Sequence, residues 1–388
     1  MYLVSVLKRN RISQEQLFMF SVLVVNGGNY LYNIILGRLL GPEQFADAAV
    51  LITFLLILSF VAMSFQLVTA KFSVVFENNL FASFISKVYK NAIIVGISLG
   101  AILIIFSKEL QDIFNTASSS MFVLFGIGVP LYFLMSVNRG VFQGKKAFKL
   151  LSITYQTEML SRLLITLGLL FLFNIQSSLV IAFGILISFG FGLIPFKFEN
   201  LNFKSSSVMN ASQSKLVRNF FIITAFYEFT QIIINNSDIL LVKHYFESYE
   251  AGLYASLALI GRIVYFIAWM FVMLLLPTVV QLKKEGKPTA PILFKYVSYI
   301  ATIASVIVLC SSVFPETAIT LLFGKSYIAM APLLWKYALA TGLFAVSNLF
   351  AYYLPLIHIS EPTRLRRTSY ADFCLKKKKQ TKHLYHIL

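Results

Sequence analysis

Ten stretches of this chain are almost unbroken in apolar residues. Each is close to the roughly 20 residues that a helix needs to cross a bilayer. They lie at 17–36, 47–68, 91–107, 119–137, 151–173, 177–196, 219–242, 251–279, 296–314 and 331–353. Where polar residues interrupt the seventh stretch, their spacing is helical. Thr224, Glu228, Gln231, Asn235 and Asp238 are separated by four, three, four and three positions. That places all five on one face of a helix, with Ile, Phe and Leu over much of the rest. Two carboxylates and an amide in a row cost too much to face lipid. This face is therefore expected to line a wet cavity or a polar seam between helices. Asn26, Asn29 and Asn33 form a similar stripe on the first stretch and are expected at the same cavity. Gly27 and Gly28 beside them fit close helix packing or a bend.

Composition narrows the class. The 388 residues are 58% hydrophobic and 13% charged, with a mean hydropathy of +0.78. Soluble domains run near 25% charged, so the pattern predicts an all-α polytopic membrane protein. A net charge of +17 could point to a polyanionic partner. The placement of the charge says otherwise. Lys and Arg crowd into alternate loops, around 8–11, 71–90, 139–149, 197–218 and 283–295. The other loops hold only Arg38, Lys108, Lys243 and Lys325. The positive-inside rule accounts for this with a cytoplasmic N-terminus and no nucleic acid. Cys310 and Cys374 indicate neither a disulfide framework nor a metal site. Met1–Gln14 is basic and amphipathic, without a cleavage site of the signal-peptide type.

The chain also repeats itself weakly. Gly41–Ala49 after the first stretch and Glu247–Ala255 after the seventh share an offset that pairs Asn29 with Asn235. Six helices per half makes the halves parallel. The expected organisation is two parallel six-helix bundles around a central cavity. The first occupies 1–210, and the second, 211–354, is truncated to about four helices. Residues 355–388 are expected not to be native. Leu356–Arg364 and Thr368–Leu375 resemble the translation of a sequencing adapter, and Lys376–Lys379 reads as a run of adenines.

Charges inside the apolar stretches are the remaining candidates. Glu158 and Arg162 stand four apart on the fifth stretch and read first as a structural ion pair. The sharper alternative puts Arg162 in the cavity as a diphosphate anchor, which its bidentate fork suits. Arg262 has no acid nearby in sequence; it is expected to meet Glu228 or Asp238 across the bundle, or to bind a lipid diphosphate. Arg139, Lys145, Lys146 and Lys149 read as a topology-setting loop, and Asp47 as a solvated charge at a helix end. No HExxH, GxSxG or Walker loop is present, so neither catalysis nor a cofactor is expected.

Four segments together resemble a known family. They are Leu36–Phe45; Asn138–Phe148; Asn236–Lys243 with Glu250–Ala255; and Gly324–Tyr327 with Ala331–Leu334. Taken in order, they resemble bacterial polysaccharide biosynthesis flippases of the multidrug/oligosaccharidyl-lipid/polysaccharide exporter superfamily. Ala46 stands where that family usually has Gly. The resemblance implies a flippase of the bacterial inner membrane. It would turn an undecaprenyl-diphosphate-linked oligosaccharide from the inner to the outer leaflet by alternating access. The implied partners are that lipid-linked substrate, the bilayer, and a polysaccharide polymerase and glycosyltransferases. A cation-coupled small-molecule efflux pump of the same superfamily and a membrane enzyme of cell-envelope synthesis stay open as alternatives.

Overall fold

The computed structural model describes residues 14–173, 177–196, 209–261 and 285–358, together with 263, 275, 279 and 282. Among the described residues all regular structure is helical. In chain order the elements are α1 (Gln14–Val75), α2 (Asn78–Ile105), a short α3 (Ser107–Phe114), α4 (Ser120–Gly144), α5 (Phe148–Phe173), α6 (Ser178–Leu193) and α7 (Ala211–Tyr245). A helix α8 covers 248–261. Then come α9 (Ala290–Val313), a short α10 (Pro315–Leu322), a 3-10 turn (Lys325–Met330) and α11 (Ala331–His358). Each expected apolar stretch falls mainly on helix where it is described, with ends such as 194–196 and 314 lying outside. Most of 262–279 lies outside the described residues, Arg262 included.

The 62 residues of α1 carry the first two stretches. As one rod they would measure roughly 93 Å at 1.5 Å per residue, about three times the hydrocarbon thickness. The rod is broken at Gly41, where φ is 74° and ψ is 172°. That region of backbone space is essentially reserved for glycine. Pro42 follows, in the position where its fixed φ suits the first turn of a new helix. Thus 14–40 and 42–75 are two arms. Replacing Gly41 with Val is expected to cost about 1–3 kcal/mol. Melting of the purified protein in detergent measures this, and an unchanged midpoint would mean the break does not depend on glycine.

Six of the described helices are long and apolar enough to cross a membrane. Their outer faces fit that medium. Ile94, Ile97, Ile102 and Ile105 of α2, and Ile222, Ile223 and Phe226 of α7, are at least half exposed. A stripe of this kind on a soluble protein would be an aggregation site; in a bilayer it faces acyl chains. The chain is a multi-pass membrane protein.

Two compact units form, divided so that 319–329 belongs with the first. In the first, α4 packs on α1, α2 and α6, while α1 also packs on α5 and α7. In the second, α9 packs on α11 around Leu293, Ile300, Ala304, Ala345 and Leu349. There Thr289 and Tyr353 hydroxyls meet at 2.7 Å.

Parts of three family-like segments, around Gly37–Pro42, Gly252 and Tyr327, meet near the Gly41 break within the first unit. The Tyr327 hydroxyl donates to the Gly37 carbonyl at 2.7 Å, and Arg38 Nη1 donates to the Leu321 carbonyl at 3.0 Å. The Phe323 ring fills the space a Cβ on Gly37 would need, and Gly252 sits directly on the Pro42 carbonyl. Small residues here are therefore explained by close backbone approach rather than by chemistry.

Candidate functional site

One stripe of α5 carries the densest buried chemistry. Thr154, Glu158, Arg162 and Thr166 follow one another at intervals of four and are all buried. That spacing keeps them on a single helix face. The face turns toward α4, α1 and α6. Glu158 Oε2 lies 2.7 Å from Arg139 Nη2 of α4, and Oε1 lies 3.5 Å from Arg162 Nη2. Arg139 is 4% exposed, and Glu158 and Arg162 are each 8% exposed.

Arg139 is tightly held. Its Nε donates to Thr154 Oγ1 at 3.2 Å and its Nη2 to the Thr154 carbonyl at 2.8 Å. Its guanidinium sits 3.9 Å from the centre of the Tyr155 ring. Room for the carboxylate comes from α6, where a Cβ on Gly192 would press on the Glu158 side chain. Arg162 is held differently. Its Nη2 donates to Asn29 Oδ1 of α1 at 2.8 Å. Asn33 Nδ2 in turn donates to the Asn29 carbonyl at 2.9 Å. The Tyr32 ring lies 5.9 Å from the Arg162 guanidinium, with its hydroxyl 3.3 Å from Thr166 Oγ1.

Two guanidinium groups thus share one carboxylate inside an apolar bundle. The shorter contact commits Glu158 to Arg139. Arg162 keeps a longer ion contact and a neutral amide, so the triad carries a surplus positive charge on the Arg162 side. Isolated charge in low dielectric is expensive. A site left cationic in this way is suited to an anionic group.

The expected residues divide as follows. Asn29, Asn33 and Arg162 come together with Glu158, and the Glu158–Arg162 pair is present as expected. Asn26 is exposed on α1. On α7, Thr224 is buried, Glu228 and Gln231 are half-buried, and Asp238 Oδ2 accepts from the Tyr254 hydroxyl of α8 at 3.0 Å. The Asn235 side chain and Arg262 lie outside the described residues, so the expected meeting of Arg262 with an α7 carboxylate does too.

Two readings need correction. Arg139 is not a loop charge: α4 continues through it to Gly144, and it is buried against Glu158. Asp47 is not solvated: it is 4% exposed, with Oδ1 3.3 Å from Lys243 Nζ. In both cases a distant helix supplies the counter-charge, which local spacing does not reveal. Thr154 and Thr166 were findable, since they extend the same every-fourth-residue stripe.

The fold is similar to that of solved transporters. One is a multidrug resistance MATE family transporter of the MOP superfamily in an inward-facing conformation: TM-score 0.66, 11% identity, covering 83% of this chain and 78% of that one. Another is the lipid II flippase MurJ in an inward closed conformation: TM-score 0.58, 14% identity, 86% and 76% covered. A third is the eukaryotic MATE transporter AtDTX14: TM-score 0.52, 14% identity, 86% and 79% covered. At these identities the likeness establishes the fold. No curated protein matches the chain. Residues 35–332, three-quarters of the sequence, match the polysaccharide biosynthesis protein family throughout, and the chain belongs to that family.

Proposed function

We propose that the protein is a flippase for an undecaprenyl-diphosphate-linked oligosaccharide. It would move the polysaccharide repeat unit from the inner to the outer leaflet of a bacterial cytoplasmic membrane. The mechanism is alternating access of two bundles, one within 1–210 and one beginning at 211, with the N-terminus cytoplasmic. A polymerase and glycosyltransferases would act on either side of this step. The observation that carries the reading is the buried Arg139–Glu158–Arg162 triad with its uncommitted positive charge. A diphosphate is what such a site accepts, and Arg offers it two parallel hydrogen bonds. The half-buried carboxylates Glu228 and Asp238 of α7 favour the second reading, a cation-coupled efflux pump, in which a compact acidic pocket would bind the cargo or the coupling ion.

Surface polysaccharide in a host lacking its own flippase tests the choice. Arg162→Met removes hydrogen bonds to a charged group, each worth about 1.5–3 kcal/mol. Export is expected to fall at least about tenfold at unchanged membrane abundance, with Arg162→Lys intermediate. Asp238→Ala and Arg262→Ala are expected to impair export as well. Wild-type export from Arg162→Met would remove the triad from the transport path, and drug resistance conferred by the chain would favour the pump.

A further inference from the structure

A second buried ion pair sits far along the first unit from the triad, and it joins three elements. Asp47 belongs to the second arm of α1, one and a half turns past the Gly41 break. Lys243 is in the last turn of α7 and is 1% exposed. Between them lies the turn that follows α3. Lys243 Nζ is 3.3 Å from Asp47 Oδ1 and donates to the Asn115 carbonyl at 3.0 Å and to Ser248 Oγ. Asp47 Oδ2 accepts from the Ala117 amide at 2.9 Å. Asn115 takes a left-handed conformation, φ 46° and ψ 51°, as α3 ends, and its carbonyl is the one Lys243 reaches. The neighbouring His244 Nδ1 lies 2.7 Å from the Ile113 carbonyl. Every donor of the ammonium is used.

The rest of the α1–α7 contact is of another kind. From Asp47 onward along α1, the partners on α7 descend in number: Phe60 meets Phe229, Phe65 meets Phe221 and Phe72 meets Phe220. The two helices are therefore antiparallel over this length. Ring centroids are 4.9–6.1 Å apart, and the planes are inclined by 60–82°. Ring contacts are soft and tolerate sliding and tilting. A buried ion pair tolerates neither, because parting the charges in a dry site costs several kcal/mol unless water enters.

We infer that Asp47–Lys243 is a two-state latch between α1 and α7, with the aromatic contacts as its pivot. Closed, the pair is dry and fully bonded. Open, both charges are hydrated. Half-open positions are disfavoured, so the end near Gly41 is either shut or wet. An apolar pair of similar size would pack as well in the closed state, but it would resist opening because it would have to expose apolar surface to water. The charges are there so that the contact can part. The inference rests on the transporter reading only for the need to open.

The test reads conformation without any substrate, so it stands or falls apart from the identity of the cargo. Thr116 is 6% exposed beside the pair, and its hydroxyl has no hydrogen-bond partner, so Thr116→Cys removes nothing. The full chain carrying Cys310→Ser, Cys374→Ser and Thr116→Cys is placed in nanodiscs and exposed to a charged maleimide. Lys243→Met and Asp47→Asn are each expected to raise the labelling rate at least about tenfold, a shift of about 1.4 kcal/mol toward the open state. The reversed pair, Asp47→Lys with Lys243→Asp, is expected to return toward the parent rate. The apolar pair, Asp47→Leu with Lys243→Met, is expected to label more slowly than the parent while melting no lower. Unchanged labelling in both single variants overturns the latch. So does an apolar pair that labels as fast as the singles, because the site would then only have been loosened.

Discussion

Glu158→Leu is expected to lower stability by about 3–5 kcal/mol, the usual result of removing one member of a buried charge cluster. Among the described residues the carboxylate is the only negative charge within 4 Å of Arg139 and Arg162, at 2.7 and 3.5 Å. Its loss leaves two guanidinium groups in an apolar bundle. Membrane abundance should fall sharply, and melting in detergent should begin well below that of the parent. The informative comparison is the variant with all three charges replaced, Arg139→Met, Glu158→Leu and Arg162→Met. Apolar side chains of similar volume often pack as stably as the ions they replace. This triple variant is expected to recover most of the stability and none of the export. Export at the parent level would show that the cluster only holds helices together.

The second large effect is steric. Gly140→Leu is expected to cost about 3 kcal/mol, at the upper end for overpacking. A Cβ there would sit 2.5 Å from the Gln66 carbonyl oxygen and 2.6 Å from the Thr69 Cβ of α1. One turn on, a Cβ at Gly144 would strike the Ala70 carbonyl. The obstacle is backbone, so it cannot turn aside. Helices in lipid gain little from apolar burial and rely on this kind of contact. Gly27 is the control, because a Cβ added there meets nothing within 4 Å. Gly27→Ala should be neutral or raise the melting midpoint slightly, since Ala is favoured over Gly in a helix by roughly 1 kcal/mol. Equal destabilisation by the two changes would mean that the α1–α4 contact is looser than these distances require.

These variants separate two kinds of polar residue that look alike along the chain. Arg139 and Lys243 each stand among apolar neighbours near a stretch boundary, and both read naturally as topology markers. Both are buried ion-pair members instead. Their partners lie 19 and 196 positions away, on other helices. Glu158 and Arg162 were visible as a pair because an α-helix brings residues four apart together whatever else it packs against. Asn29 could be singled out for its place in a polar stripe, but the stripe did not say that Arg162 would be its partner.

That the chain is helical and membrane-embedded was legible from its apolar runs alone. Apolar run length and the cost of unpaired backbone in lipid leave no other regular structure for such stretches. The gap between the stretches at 17–36 and 47–68 also marked the interval in which α1 breaks, and Gly41-Pro42 stands inside it. Which charges neutralise one another emerges only from the packing, since a buried charge takes whatever counter-charge is brought within about 4 Å. The convergence of Gly37, Pro42, Gly252 and Tyr327 likewise appears only in the folded chain. Such contacts depend on how helices cross, and helix crossing is set by ridges, grooves and small residues on several elements at once.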